Sequence, residues 1–78
     1  MDATITETID TKGLNCPIPI LRAKKALGKL NAADVIEVLA TDPAAVKDFE
    51  AFCRATGNEL MEWSENDGIF RFLIRKTS

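Results

Sequence analysis

The chain has few of the residues on which most catalytic sites depend. It contains no histidine and only two cysteines among its 78 residues. The absence of histidine excludes Cys-His nucleophilic catalysis and zinc sites that rely on histidine. The two cysteines, Cys16 and Cys53, are far apart in sequence and form neither a disulfide framework nor a metal-ligand pattern. We therefore expect no metal and no cofactor.

Long apolar segments are also missing. No run approaches the ~20 apolar residues that a helix needs to span a bilayer. The first residues, Met1-Asp2-Ala3-Thr4, lack the basic start and apolar stretch of a signal peptide. These absences predict a cytoplasmic protein without a membrane partner, in which both thiols stay reduced. A chain of this length corresponds to one domain, which we expect to span residues 1–78.

Acidic residues are absent from one segment of the chain. No aspartate or glutamate lies between Thr11 and Ala33, although the whole chain has a net charge of −2. The same segment contains the basic residues Lys12, Arg22, Lys24, Lys25 and Lys29. The negative net charge argues against a dedicated nucleic-acid-binding protein, so we expect no direct nucleic-acid partner.

Apolar periodicity and turn signals predict four strands and two helices in the order βαβαββ. We predict strands over residues 4–10, 35–41, 60–65 and 69–76, and helices over residues 17–30 and from Asp42-Pro43 to Gly57. Asn66-Asp67-Gly68 predicts a hairpin turn. Arg71 and Arg75 share one face of the last strand, which indicates that helices cover only the other face. The fold class is therefore α+β: a two-layer α/β sandwich, with a mixed four-stranded sheet and both helices on one face.

The first predicted helix begins with the sequence Cys16-Pro17-Ile18-Pro19. With Cys16 as the N-cap, Pro17 and Pro19 become the first and third helical residues, where a missing N–H costs nothing. The Ile18 amide is then the main donor left for the Cys16 sulfur. A helix N-terminus favours an anion and lowers the pKa of a thiol, an effect to which Lys12 adds. We predict an exposed, thiolate-prone Cys16; the alternative is a buried cysteine beside a proline-started helix.

Two further features have both a structural and a functional interpretation. Arg22, Lys25 and Lys29 form a basic stripe along the first helix, which is either a solvated face or, with Lys12, a candidate docking surface for a partner. Cys53 lies in the last turn of the second helix, where the helix dipole opposes a thiolate. We predict a structural role for Cys53, with a resolving thiol as the alternative.

Three segments resemble the TusA/SirA-like family of sulfur carriers: IDTKGLNCPIPILRAKKAL, VIEVLATDPAAVKDFEAFCRATGNEL and FRFLIRK. The most specific part is Gly13-Leu14-x-Cys16-Pro17-x-Pro19. The resemblance implies the same βαβαββ sandwich and a persulfide on Cys16. It also implies loading by a cysteine desulfurase or rhodanese-type donor, and delivery to an acceptor sulfurtransferase for tRNA 2-thiolation, molybdenum cofactor synthesis or sulfur oxidation.

The chain departs from that family at two places. Many members have an acidic residue where Ile18 stands, and many have Gly-His where this chain has Gly57-Asn58. Neither change removes the cysteine or its helix, and we expect a monomeric carrier in preference to a stand-alone enzyme. One alternative is a regulatory or RNA- or protein-binding module in which Cys16 only caps the helix. A weaker alternative is a redox sensor, which requires the Cα atoms of Cys16 and Cys53 within about 7 Å.

Overall fold

The computed structural model describes residues 5–15 and 17–77. The elements follow the predicted order βαβαββ. They are β1 (Ile5–Thr11), α1 (Ile18–Leu27), β2 (Val35–Ala40), α2 (Ala45–Thr56), β3 (Glu59–Asn66) and β4 (Ile69–Arg75). In the described part of the chain, no helix has the length and apolar character needed to cross a membrane.

The four strands form one mixed sheet in the order β1-β2-β4-β3. The β1–β2 pair is parallel, as its connection through α1 requires, and the β2–β4 and β3–β4 pairs are antiparallel. β4 therefore lies between β2 and β3, and β1 and β3 are the two edges of the sheet. The predicted mixed four-stranded sheet is confirmed.

Both helices pack on the same face of this sheet. α1 contacts β1 and β2, α2 contacts β3 and β4, and the two helices touch each other. The residues fully buried between the two layers include Ile36, Val38, Phe49, Phe72 and Ile74. On the opposite face, Arg71 forms an ion pair with Glu37, and this hydrogen bond holds the pKa of Glu37 below its ordinary value. The prediction that the arginine-bearing face lacks helices is confirmed.

The first helix is shorter at its end than the sequence predicted. α1 ends at Leu27 instead of Leu30, because the Lys29 and Leu30 amides bond to carbonyls three residues earlier, not four. The Lys76 ammonium donates to the carbonyl oxygens of Leu27 (2.8 Å) and Leu30 (2.7 Å). Lys76, directly after β4, thereby supplies a donor to two carbonyls at the end of α1, of which that of Leu27 also accepts the Leu30 amide.

The second helix begins later than its predicted start at Asp42-Pro43, and its N-cap is Ala44, which makes no side-chain cap hydrogen bond. α2 starts at Ala45, and Asp42 lies one turn before it. The Asp42 carboxylate accepts from the Ala44 amide at 3.0 Å, while its carbonyl accepts from the Ala45 amide at 2.9 Å. The helix ends at Gly57, whose φ of 80° is the left-handed conformation that glycine adopts readily. The predicted end is confirmed.

Candidate functional site

The loop from β1 to α1 is anchored to the end of β2 by side-chain hydrogen bonds. The fully buried Thr11 donates its hydroxyl to the Leu39 carbonyl oxygen at 2.6 Å, and the Leu14 amide returns to the Thr11 carbonyl at 3.1 Å. The Gly13 amide donates to the Thr41 hydroxyl at 2.9 Å. These bonds fix the path of the chain as it approaches position 16.

Gly13 is required in this loop for a conformational reason. Its φ is 82°, in the left-handed region that other L-residues seldom adopt. No atom would meet a Cβ added at this position, so backbone strain and not crowding explains the glycine. The motif glycine therefore sets the direction of the loop.

The start of α1 differs by one residue from the prediction. The N-cap is Pro17, with φ −97° and ψ 16°, and the first helical residue is Ile18. Pro19 is consequently the second helical residue, not the third. The reason is a turn in which the Ile18 amide donates to the Asn15 carbonyl oxygen at 3.0 Å. The amide expected to serve the sulfur therefore already has a backbone partner.

Cys16 itself lies outside the described residues. Its predicted exposure therefore remains a prediction, whereas its predicted place as the N-cap is wrong, because the N-cap of α1 is Pro17 and the Ile18 amide donates to Asn15. The residues on either side, Asn15 and Pro17, are exposed, and 40% of Ile18 is accessible. The first turn of α1 contains no acidic residue, so no carboxylate there opposes a thiolate.

The basic stripe faces a common groove beside β1. Arg22, Lys25 and Lys29 line an open cavity of about 420 Å³ together with Glu7, Ile9 and Ala26. Lys12 is not part of this groove, and its ammonium lies 4.0 Å from a carboxylate oxygen of Asp10. The fold therefore brings three of the four candidate docking residues together and separates the fourth.

The second cysteine has the surroundings expected of a structural residue. Cys53 is 5% exposed and belongs to the hydrophobic core with Phe49 and Ala23. This burial raises the pKa of its thiol to about 11, from an ordinary value of 9.0. Both observations disfavour the resolving-thiol alternative, because a thiol that is buried and protonated is a poor nucleophile.

We expect Cys53 to resist alkylation by iodoacetamide in the native protein at about pH 7.5. Its pKa is raised, so the thiolate stays scarce until the pH approaches about 11. The protonated thiol also belongs to the folded state, and its contribution to stability is lost as the pH rises from about 9 towards 11. Intact mass should show one adduct on the native chain, two in urea, and none on native Cys16→Ser. A second adduct that forms as fast as the first would contradict this.

Two anchoring residues were not identified from the sequence. Thr41 receives the Gly13 amide, and Lys76 binds the end of α1, yet each is distant in sequence from the element it holds. A threonine directly after a buried strand is a signal that could have identified Thr41. Nothing local to Lys76 indicates its role. Among the described residues, no group of histidine, cysteine and carboxylate side chains is arranged to hold a metal ion.

The fold and the motif together define a class: a small two-layer α/β domain with a Cys-Pro-x-Pro sequence leading into its first helix. Comparison with known proteins identifies the family. A family model described as "Sulfurtransferase TusA" matches residues 7–76. The chain belongs to this sulfur-carrier family, as the resemblance of its motifs predicted.

Individual relatives agree with that assignment. A sulfur carrier protein TusA of Allochromatium vinosum is 55% identical over 75 residues, which cover 96% of this chain and 99% of that protein. A putative sulfur carrier protein of Neisseria meningitidis is 56% identical over 70 residues, or 90% of this chain and 95% of that protein. The crystal structure of a SirA-like protein from Desulfitobacterium hafniense superimposes with a TM-score of 0.83 at 33% identity. That match covers 94% of this chain and all of the other, and it confirms the fold.

Proposed function

We propose that this chain carries sulfane sulfur as a persulfide on Cys16. It receives the sulfur from a cysteine desulfurase or rhodanese-type protein and passes it to an acceptor sulfurtransferase in the cytoplasm. The observation that carries the proposal is the family match over nearly the whole chain, which includes the Cys-Pro-x-Pro motif. The anchored loop before position 16 supports it, because a carrier must present one atom to its partners in a fixed direction.

The transfer step exchanges one sulfur–sulfur bond for another. The Cys16 thiolate attacks the terminal sulfur of a persulfide on the donor cysteine. A bond forms between the Cys16 sulfur and that terminal sulfur, the donor's own sulfur–sulfur bond breaks, and the donor cysteine leaves as a thiolate. No external oxidant or reductant is needed, since sulfane sulfur moves between two thiols. The positive end of α1 favours the anionic form of the attacking thiol and of the resulting persulfide.

Partner recognition is assigned to the groove beside β1. Arg22, Lys25 and Lys29 place three positive charges on one side of the helix that follows Cys16. Such a surface accelerates and orients the approach of an acidic partner. Ile18, where many family members carry an acid, leaves this side of the motif without a negative charge.

Intact mass measures the proposed loading directly. The reduced chain is incubated either with a cysteine desulfurase and cysteine or with a rhodanese and thiosulfate, and its mass is taken without reductant. We expect the gain of one sulfur atom on the wild-type chain and on Cys53→Ala, and no gain on Cys16→Ser. Serine differs from cysteine by one atom, and position 16 precedes the N-cap Pro17, so we expect the last variant to keep its fold. The proposal would be contradicted if the wild-type chain gained no sulfur from either donor, or if the Cys16→Ser variant gained a sulfur atom.

A further inference from the structure

The strand β1 presents an open edge for hydrogen bonding. It pairs with β2 on one side, and no strand among residues 5–15 and 17–77 pairs with it on the other. Successive backbone N–H and C=O groups of a strand point alternately to its two sides, so about half of those in β1 point away from the sheet. An extended peptide can satisfy such a row of donors and acceptors by adding a further strand.

The basic groove runs beside this same edge. Its lining joins Glu7 and Ile9 of β1 to the three cations of α1, which are Arg22, Lys25 and Lys29. Within the described part of the chain, the ion pairs involve other cations, namely Lys12, Arg71 and Arg75. The groove therefore offers three positive charges against the single carboxylate of Glu7, next to the open edge of β1.

The two faces of β1 determine which side chains of an added strand would point to the helix side of the sheet. Ile9 and Thr11 are buried on the helix side, whereas Thr8 faces the open side and donates its hydroxyl to Glu37. An added strand continues this alternation, so every second side chain points to the helix side, beneath the cations. Those positions favour carboxylates, and the intervening positions favour neutral side chains suited to a pleated sheet.

We propose that an extended acidic segment of a partner protein docks on β1 as a fifth strand, with acids at alternate positions facing Arg22, Lys25 and Lys29. This inference rests on the proposed function for the partner's role in the sulfur relay. A protein segment fits better than RNA, since an open strand edge offers donors and acceptors in alternation. A phosphate backbone accepts hydrogen bonds but cannot donate to the carbonyls. The other edge, β3, includes three glutamates, which disfavour the same ligand there.

The test uses the full chain and a blocked peptide with alternating glutamate and valine. NMR titration and amide hydrogen exchange report where the peptide binds. We expect saturable binding, with protection of alternate β1 amides. Methylating the backbone nitrogens of the peptide that would face β1 keeps its charge but removes its donors to β1, and this should weaken binding at least about tenfold. Lys25→Glu should weaken it by about fivefold or more, while Lys47→Glu, an exposed lysine on α2, should not.

Three outcomes would overturn the inference. One is equal affinity for the methylated peptide, which would mean that charge alone holds the ligand. Another is tighter binding of a single-stranded RNA oligonucleotide in the same groove. The third is concentration-dependent dimerisation of the chain in which β1 becomes protected without peptide. Sulfur loading of Cys16 by mass spectrometry is a separate measurement, so failure of strand addition is distinguishable from failure of the carrier function.

Discussion

Replacing Phe49 by alanine is expected to lower the free energy of unfolding by about 3–5 kcal/mol. Phe49 is fully buried on α2, and its ring lies 4.7 Å from that of Phe72 on β4, centroid to centroid. It also meets the Phe52 ring edge to face at 6.3 Å. A domain of 78 residues has a total stability of about 4–12 kcal/mol, so this one cavity removes a large share of it.

Urea unfolding followed by Trp63 fluorescence measures this loss. Trp63 is the only tryptophan, and its ring lies 6.3 Å from that of Phe72, so its emission reports on the same part of the core. The matched control is Phe52→Ala, because Phe52 is only partly buried and its removal leaves a site open to solvent. We expect that control to cost less than half as much. Equal losses for the two variants would contradict the central place of Phe49 in the core.

The element order and the core could be predicted because local signals agreed with the final packing. Alternation in the last strand placed Phe72 and Ile74 on the buried face, and both are fully buried. The Asp67-Gly68 pair produced the hairpin, with φ values of 54° and 81° that a two-residue turn of this kind requires. The sheet order was not derivable from these patterns, since the place of β4 between β2 and β3 depends on long-range pairing.

Helix boundaries were predicted less well, because distant residues determine them. Lys76 binds the carbonyl oxygens at the end of α1, and it comes from the far end of the chain. The start of α1 was placed one residue early, since the turn from Asn15 to Ile18 takes the amide that a cap would use. Propensity and capping rules cannot predict either contact, because both contacts depend on how the chain folds back on itself.

The candidate site shows the same division between local and long-range information. Gly13 and the prolines were identifiable from the sequence, because glycine permits a left-handed φ and proline fixes φ and removes a donor. The anchor at Thr41 was not, and neither was the open edge of β1 beside the basic stripe. Helical spacing placed Arg22, Lys25 and Lys29 on one side of α1, but the sheet topology determines what that side faces.

Reversing all three charges of the groove is expected to slow loading by a protein donor roughly 100-fold. The variant is Arg22→Glu, Lys25→Glu, Lys29→Glu. Each reversal replaces an attraction by a repulsion of about 1 kcal/mol at a solvated interface, and three together approach 3 kcal/mol. The three side chains are exposed, so the fold should survive. The measurement is the initial rate of sulfur gain at low salt, with the donor that loads the wild-type chain.

A matched variant separates position from net charge. Lys24→Glu, Lys47→Glu, Arg54→Glu changes the net charge by the same amount at exposed residues that do not line the groove. We expect this control to slow loading less than about fivefold. Because salt screens charge, a higher salt concentration should reduce the difference in loading rate between the two variants. The alkylation rate of Cys16 by iodoacetamide should remain within a few-fold in both, which shows that the thiol itself is intact. If both variants lose loading equally, long-range charge attracts the donor and the groove has no specific part in docking it.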